Sequence, residues 1–312
     1  IKTSIIKDKR GTKMKYQIKD RTILITIPQS YDGKTLMSFL ETYLPSKKSI
    51  HLLFQNHEIS LNEQYPNRST ILHVFDELSL LAFQDHLDSP IEKILPEICY
   101  EDDFFLAVAK PSSLLIYSLN QECKHTLSNQ VAYYYQTQNK DIGVRPLHRL
   151  DVDTSGLLLY SKCSLFQPYF DQMMSQKKIR RTYIAIVEGC MTLNQKGSIN
   201  SPIARDRHDS KKMRISKSGK PSKTNFQVLK VDQKHQYSVC KLQLETGRTH
   251  QIRVHLASIH HPILGDALYG SKKPFETLAL HALQLDFIHP FLEEKIIITC
   301  NLPEVMKDYV KG

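Results

Sequence analysis

The chain has 312 residues, more than an average domain, so two domains are expected. Its 42 Lys and Arg residues against 32 Asp and Glu residues give a formal net charge of +10, which favours a polyanionic partner, either nucleic acid or an anionic membrane surface. No apolar run approaches the length of a membrane span, and the first residues lack the apolar stretch of a signal peptide, so we expect a cytoplasmic protein without membrane contact.

Cysteine usage gives no sign of a zinc or dithiol motif. The six cysteines stand alone at long, irregular spacings, and no C-x-x-C pair is present. We expect most of them to be small buried apolar side chains. They are Cys99, Cys123, Cys163, Cys190, Cys240 and Cys300.

The first third of the chain reads as an arm, a small module and a linker. Residues 1–13 are polar and basic without periodicity, which predicts a disordered arm or an expression remnant. Residues 14–83 predict a small α+β unit, with a strand in "RTILITIP", a helix in "GKTLMSFLETYLP" and a helix followed by a short strand in "SIHLLFQNHEISLNE". The acidic, proline-bearing residues 84–96 indicate a linker to a second domain at 97–312.

In the second domain, strand-like runs alternate irregularly with helical stretches near residues 126–138, 164–176 and 249–259. The strand-helix-strand units that a parallel sheet requires hardly recur. The pattern therefore predicts an α+β fold, in which helices flank a mixed, mostly antiparallel sheet.

The segment "RPLHRLDVDTSGLLLYSK", residues 145–162, places Asp151 just after Arg149 and just before a tight Asp-Thr-Ser-Gly turn. Gly156 can adopt backbone angles that other residues avoid, so the turn can be rigid. A carboxylate that is held in this way can act as a nucleophile. The alternatives are a surface salt bridge and a carboxylate that caps the turn.

The segment "HRLDVDTSGLLLYSK" resembles the signature of the RluA-type pseudouridine synthases, which isomerise uridine to pseudouridine in RNA. Four further segments resemble motifs of that family in the same order: "ICYEDDFFLAVAKPSSLLIYS", "RRTYIAIVEG", "ETGRTHQIRVHLASIHHPILGD" and "LALHALQLDFIHP". The similarity covers about residues 97–302 and implies the pseudouridine synthase fold. Ser113 and Tyr117 depart from it, because the family often has Gly and His at these positions.

The resemblance implies three catalytic residues. Asp151 is the nucleophile, and Arg248 is the counter-charge that pairs with it in a pocket that excludes water. Tyr183 stacks beside the uracil and transfers a proton. The alternatives are a surface phosphate clamp for Arg248 and simple core packing for Tyr183. Because the isomerisation involves no redox change, neither a metal nor another cofactor is expected.

The same loop and the helix after Arg248 supply candidate RNA contacts. By resemblance, Arg149 fills the gap that a flipped-out uridine leaves, and Thr154 lies in the same loop. His148 either holds the loop or contacts a phosphate, and a structural histidine is equally compatible with the pattern. Arg253 suits either an RNA phosphate or a second link to the loop of the nucleophile. For its helix, Thr249 is the predicted N-cap.

Two further regions are candidates for binding RNA. The basic stretch 204–224 predicts phosphate contacts, chiefly through Lys211, Lys212 and Arg214, although charge runs are usually solvated loops. The N-terminal module resembles the S4-type RNA-binding module. An equally good interpretation is a degenerate module that packs against the catalytic domain. Its candidate contacts are Lys47, Lys48 and His51.

The sequence thus predicts an isomerase that acts on uridines of structured RNA, either ribosomal or transfer RNA, as a monomer that needs no protein partner. A noncatalytic RNA-binding protein on the same fold is the first alternative. The second, a hydrolytic nucleic-acid enzyme, would require a metal cluster or a nucleophile-base pair. His250 and His255 have the spacing of one metal-binding helix edge, but no third ligand is near them in sequence.

Overall fold

The computed structural model describes residues 3–7, 13–44, 46–83, 86–87, 89–117, 125–290, 292 and 294–311. Among the helices in these ranges, none combines the length and the apolar character that crossing a bilayer requires. The strands form two main sheets and one separate two-stranded hairpin.

The N-terminal module is a five-stranded sheet in the order β1-β2-β3-β5-β4, with two helices. Its elements are β1 (Thr3–Lys7), β2 (Lys13–Lys19), β3 (Thr22–Thr26), α1 (Leu36–Tyr43), α2 (Lys47–Gln55), β4 (Ile59–Leu61) and β5 (Glu77–Leu81). Strand β1 lies where the sequence indicated a disordered arm, and it pairs antiparallel with β2. The β-branched residues Thr3, Ile5 and Ile6 favour a strand, a signal that the basic composition of the arm conceals.

Both helices of the module begin at a hydroxyl residue. Thr35 Oγ1 accepts a hydrogen bond from the Ser38 amide, and Ser46 Oγ accepts one from the Ser49 amide, so each cap satisfies a backbone donor of the first turn. The module also contacts the second domain, since the Tyr16 hydroxyl donates to Asp103 at 2.9 Å.

The second domain is built on a ten-stranded, mostly antiparallel sheet, which confirms the predicted α+β class. Along the main path the order is β11-β14-β15-β10-β16-β9-β7-β6, while β17 pairs with β16 and β8 pairs with β9. The strands of this domain are β6 (Glu97–Glu101), β7 (Phe105–Lys110), β8 (Arg145–Pro146), β9 (Ser155–Ser161), β10 (Arg180–Glu188), β11 (Lys196–Asn200), β12 (Ile203–Arg205), β13 (Met213–Ile215), β14 (Lys223–Asp232), β15 (Tyr237–Leu244), β16 (Leu280–Ile288) and β17 (Lys295–Thr299), of which β12 and β13 form the separate hairpin.

Strands β9 and β16 run parallel, and their pairing fixes the start of β9 directly after the loop that carries Asp151. Gly156 has a φ of +110°, and a Cβ at this position would lie 2.3 Å from the Ala282 carbonyl oxygen. The position therefore requires glycine for its φ and for the close approach of the two backbones, as the motif predicted. Beside it, Ser155 Oγ and His281 Nδ1 are 2.9 Å apart, so side chains also join the two strands.

In its described residues the domain also contains four α-helices: α3 (Leu127–Thr137), α4 (Gln167–Ser175), α5 (Gln251–Ser258) and α6 (Glu304–Val310). The first three lie within the predicted helical stretches. Cys163, Cys240 and Cys300 are buried as expected, whereas Cys99 is half-buried and Cys190 is exposed. Cys123 lies outside the described residues.

Candidate active site

One pocket brings together the loop before β9, the strand β10 and the first turn of α5. Asp151, Tyr183 and Arg248, the three residues predicted to be catalytic, all line it. The complete lining is Arg149, Leu150, Asp151, Thr154, Arg181, Tyr183, Leu244, Gly247, Arg248, Thr249, His250, Gln251, Ile252, Arg253 and Leu280.

Lys110, the last residue of β7, binds the backbone of the loop that carries Asp151. Its side chain is buried, and its Nζ donates to the carbonyl oxygens of Pro111 and Leu114 at 2.8 Å each and of Val152 at 2.7 Å. Burial lowers the pKa of Lys110 to about 8, while two aspartates of the loop favour its charged form. The three bonds use all three ammonium protons, so the loop has a fixed position relative to the sheet.

The counter-charge nearest to Asp151 is Arg253. Its Nη1 lies 4.0 Å from Asp151 Oδ2, while its Nε and Nη2 each donate to the carboxylate of Asp266 at 2.8 Å. Burial lowers the pKa of Arg253, but the hydrogen bonds and the charge of Asp266 outweigh this effect and raise it. Asp266 thus fixes the guanidinium by a bidentate bond, and the remaining amine faces Asp151.

This arrangement corrects the prediction for Arg248. Within the described residues Arg248 forms no ion pair with Asp151; it is exposed, and its Nε donates to the Pro221 carbonyl at 3.2 Å. The physical reason is the start of α5. Helix α5 begins after His250, so Arg253 lies in its first turn and faces Asp151. Arg248 lies in the loop that precedes the helix, at the edge of the pocket.

The N-cap of α5 also differs from the prediction. His250, with a left-handed φ of 54°, is at the cap position instead of Thr249, and no side chain caps the helix there. The loop is held instead by Gln251, whose Oε1 accepts hydrogen bonds from the Thr246 hydroxyl at 2.7 Å and the Arg248 amide at 3.0 Å. One amide side chain therefore shapes the rim of the pocket around Arg248.

Tyr183 lies on β10 and is 3% exposed. Burial raises the pKa of its hydroxyl, the nearby cation of Arg181 lowers it, and Asp151 raises it. The pairing of β10 with β16 skips Leu283, so the extra residue of this bulge lies in β16, opposite Thr182 and Tyr183, while β10 keeps its regular alternation against β15. The structure thus places a tyrosine and a carboxylate that are far apart in sequence against the same pocket.

The remaining predicted residues of the loop have different surroundings. Arg149 is exposed at the pocket, where a nucleic acid could reach it. His148 Nε2 accepts a hydrogen bond from the Leu159 amide at 3.3 Å, and burial lowers its pKa to about 3, so the imidazole is neutral and holds the loop. Thr154 is 2% exposed in the pocket wall. The geometry corrects the predicted RNA contact of His148 in favour of the structural alternative.

For Arg253, the structure favours the second of the two roles that the sequence left open. Its side chain is only 8% exposed and faces Asp266 and Asp151, so it links the helix to the loop of the nucleophile. A guanidinium held by Asp266 and facing Asp151 favours the link to the loop over a contact with an RNA phosphate.

The basic hairpin of β12 and β13 packs beside the pocket through Tyr269. The Met213 amide donates to the Tyr269 hydroxyl at 2.9 Å, and Lys212 Nζ lies 5.7 Å from the centroid of its ring. The guanidinium carbon of Arg253 lies 5.1 Å from the same centroid. Lys211 and Arg214 belong to this hairpin. Of the predicted cations, Lys212 is therefore adjacent to the pocket, beside Tyr269 and Arg253.

His250 and His255 do not form a metal-binding edge. His250 Nδ1 lies 2.9 Å from the Tyr269 hydroxyl, whereas the two ring nitrogens of His255 bond to Thr224 Oγ1 and the Ser201 carbonyl at 2.9 Å each. Across the described part of the chain, no three His, Cys, Asp or Glu side chains are grouped as metal ligands would be.

Sequence reasoning missed the supporting residues of the pocket. Asp266 was only the last residue of a segment quoted for the resemblance, and Tyr269 lay outside every quoted segment; nothing local indicated that they contact Arg253. Arg181 was quoted only within the tyrosine motif, although it lines the pocket. A signal did exist for Lys110, since a lysine that ends an apolar strand must place its ammonium somewhere polar.

Comparison with known proteins agrees with this geometry. A family model described as RNA pseudouridylate synthase matches residues 104–258, and one described as the RluD ribosomal pseudouridine synthase N-terminal domain matches residues 23–78. The chain is 37% identical to the uncharacterized RNA pseudouridine synthase YhcT of Bacillus subtilis, over 93% of this chain and 97% of YhcT. It is 30% identical to the ribosomal large subunit pseudouridine synthase D of Nitrosomonas europaea, over 93% of this chain and 87% of that protein.

A solved structure is also similar. Human RNA pseudouridylate synthase domain containing 1 superposes with a TM-score of 0.57 at 26% identity, and the match covers 72% of this chain and 89% of the human one.

Proposed function

The chain belongs to the RluA-type family of RNA pseudouridine synthases, and from that premise we propose that it isomerises uridines of structured ribosomal RNA through Asp151. The similarity to a synthase named for the large ribosomal subunit favours ribosomal over transfer RNA. The observation that carries the proposal is the convergence of Asp151, Tyr183 and the Asp266-bound Arg253 on one pocket.

The reaction keeps every atom of the nucleoside. The N1–C1′ bond of uridine breaks, a C5–C1′ bond forms, C5 loses a proton and N1 gains one. Asp151 adds transiently to the nucleoside, at C1′ or C6, and is released at the end. Arg253 supplies positive charge 4.0 Å from the carboxylate, and a loop fixed by Lys110 keeps the nucleophile aimed at the pocket.

Tyr183 provides an aromatic ring on which the detached uracil stacks and a hydroxyl group that transfers a proton. Its ring gives the uracil a surface on which to stack, and its hydroxyl supplies a group that can carry the proton that C5 must lose. Arg149, exposed beside Asp151, fills the space from which the uridine swings out, a step that costs roughly a few kcal/mol.

The N-terminal module is proposed as an S4-like aid to RNA binding, joined to the catalytic domain through residues 84–96. Lys47 and Lys48 begin α2, and His51 Nδ1 lies 3.0 Å from Arg68 Nη2, which adds a cation that the sequence did not single out. We propose that the protein works as a cytoplasmic monomer, since the pocket is completed by residues of a single chain.

The test is to map pseudouridine across all cellular RNA, with and without the gene. The proposal expects one or a few sites in large-subunit ribosomal RNA to be lost on deletion and restored by the intact gene. If pseudouridine is lost only from transfer RNA, the substrate is transfer RNA instead of ribosomal RNA. An unchanged map would contradict it.

A further inference from the structure

Resting on the proposed function, we propose that Arg181 forms a binding site for a backbone phosphate of the RNA, next to the uridine that enters the pocket. Arg181 lies on β10 two residues before Tyr183, and both line the pocket. Since side chains two apart on a strand share a face, a ligand stacked on Tyr183 has Arg181 beside it.

The Arg181 side chain is uncommitted. Its Nε is buried, and no acceptor among the described residues lies within hydrogen-bonding distance of it. Across the same part of the chain, the guanidinium forms no ion pair. Buried donors without an acceptor are rare in native proteins, because leaving one unpaired is unfavourable. A ligand with a strong acceptor would satisfy this donor.

The neighbouring Arg180 shows what a structural arginine looks like on this strand. Its Nε donates to Asp286 Oδ1 at 3.0 Å, and its side chain does not line the pocket. Two consecutive arginines thus differ in two respects, since Arg180 has a carboxylate partner and lies outside the pocket lining, whereas Arg181 lines the pocket without such a partner. The difference points to a partner for Arg181 that arrives from outside.

The backbone beside Arg181 leaves room for its guanidinium. A Cβ on Gly247 would lie 3.2 Å from Arg181 Nη1 and 3.4 Å from Nη2, closer than most Cβ contacts. A larger residue at 247 would push the guanidinium away from the pocket. Gly247 therefore contributes to the site through its lack of a side chain.

The charge of the pocket selects an anion. Its lining contains four arginines against a single carboxylate, that of Asp151. Arg253 is bound to Asp266 and faces Asp151, so the excess positive charge belongs to the other three, Arg149, Arg181 and Arg248. A planar guanidinium binds a phosphate through two parallel bonds, which a neutral uracil carbonyl cannot match.

The experiment compares Arg181→Gln with the matched control Arg180→Gln, which removes the same charge one residue away. Binding to an unmodified large-subunit ribosomal RNA transcript is measured over a range of salt concentrations, together with the RNA concentration that half-saturates pseudouridine formation. For Arg181→Gln, we expect the log–log salt slope to flatten by about 1 and the half-saturating concentration to rise about tenfold. Arg180→Gln should match the wild type in both.

Arg181→Lys keeps the positive charge and is the control for misfolding. If Arg181→Gln loses binding because it misfolds, the lysine variant should not restore it. Under the proposal, Arg181→Lys should restore the salt slope while leaving the half-saturating concentration raised, since a lysine lacks the planar fork. A wild-type slope in Arg181→Gln, or an equal change in Arg180→Gln, would overturn the phosphate site. If the wild-type enzyme binds RNA with the Arg181-dependent slope but forms no pseudouridine, the proposed function fails and the site stands.

Discussion

The pocket has a floor and a rim that are built in opposite ways. The floor consists of Asp151, Tyr183 and Arg253, together with Lys110 and Asp266, which lie behind the lining and bond to the loop of Asp151 and to Arg253. Its cations are enclosed, each with several oxygen partners at short distance. The rim consists of Arg149, Arg181, Arg248 and the hairpin at 203–215, whose cations are mostly exposed or without a carboxylate partner.

The difference indicates a division of work. A nucleophile needs fixed geometry before the substrate arrives, so the floor is rigid and its charges are compensated within the protein. A polyanion needs positive charge that is not already neutralised, so the rim keeps its cations available. Changes to the floor should therefore affect turnover and stability, while changes to the rim should affect RNA affinity and its salt dependence.

Apart from changes to Asp151 itself, the largest effect is expected for Arg253→Gln. This change removes the counter-charge of Asp151 and leaves the carboxylate of Asp266 buried without a cation, which costs roughly 3–5 kcal/mol of unfolding free energy. We expect single-turnover pseudouridine formation to fall at least about 100-fold. Arg248→Gln, on the rim, is the control, and its rate of single-turnover pseudouridine formation should fall by less than about tenfold. If Arg248→Gln were the more damaging change, the assignment of the two arginines would be reversed.

Acid should act through histidines that are neutral in the folded protein, above all His281 and His148. Burial lowers the pKa of His281 to about 4 and that of His148 to about 3, against a reference value of 6.5. Below pH 6.5 the unfolded chain binds protons that the folded chain does not, so the unfolding free energy falls as the pH falls. Each histidine accounts for about 1.5 kcal/mol between pH 6.5 and pH 5.

Urea unfolding at several pH values between 7.5 and 5 measures this loss. His281→Gln should remove about 1.5 kcal/mol of the loss between pH 6.5 and pH 5. A free energy of unfolding that is flat over this range would mean that the two imidazoles are charged or solvated in the folded protein.

Neutralising the hairpin should weaken RNA binding with a smaller effect on the chemistry. Replacing Lys211, Lys212 and Arg214 by Gln is expected to reduce the slope of log binding constant against log salt concentration by roughly 2–3. RNA affinity at moderate salt should fall by about tenfold or more. The rate with saturating RNA should change much less than in Arg253→Gln. An unchanged salt slope would show that the hairpin is an ordinary solvated loop.

The smallest effect is expected at Ser113, in the turn after Lys110. Ser113 has a φ of 60°, a left-handed conformation that glycine adopts without strain. Ser113→Gly should raise the unfolding free energy by about 0.5–1 kcal/mol, because relief of the strain exceeds the added freedom of the unfolded chain. Chemical denaturation measures it, and a destabilised variant would mean that the serine hydroxyl has a role of its own.

Much of the fold followed from local patterns. Periodicity located the main strands and helices, and the requirement for glycine at 156 could be predicted because an Asp-Thr-Ser-Gly turn limits the possible backbone angles. Strand β1 was missed because a basic composition masked its β-branched residues. Composition and strand propensity conflicted there, and pairing with β2 decided the outcome.

The site was harder to predict because its partners are set by tertiary contacts. Arg248 and Arg253 are five residues apart in one motif, and only the left-handed turn at His250 determines which of them faces Asp151. Asp266 meets Arg253 through the packing of a separate turn, which no local spacing reveals. Likewise, the hydrogen bond that His148 accepts from the Leu159 amide depends on the packing of the loop against β9, which the loop sequence alone does not reveal.

The central claim is that the chemistry takes place at the carboxylate of Asp151, and the most direct measurement compares Asp151→Asn with Asp153→Asn. Both variants remove one negative charge from the same loop, and both should bind RNA at least as well as the wild type. The account predicts that Asp151→Asn forms no detectable pseudouridine in a single-turnover assay, while Asp153→Asn stays within a few-fold of the wild-type rate. Product formation at full rate by Asp151→Asn would contradict it.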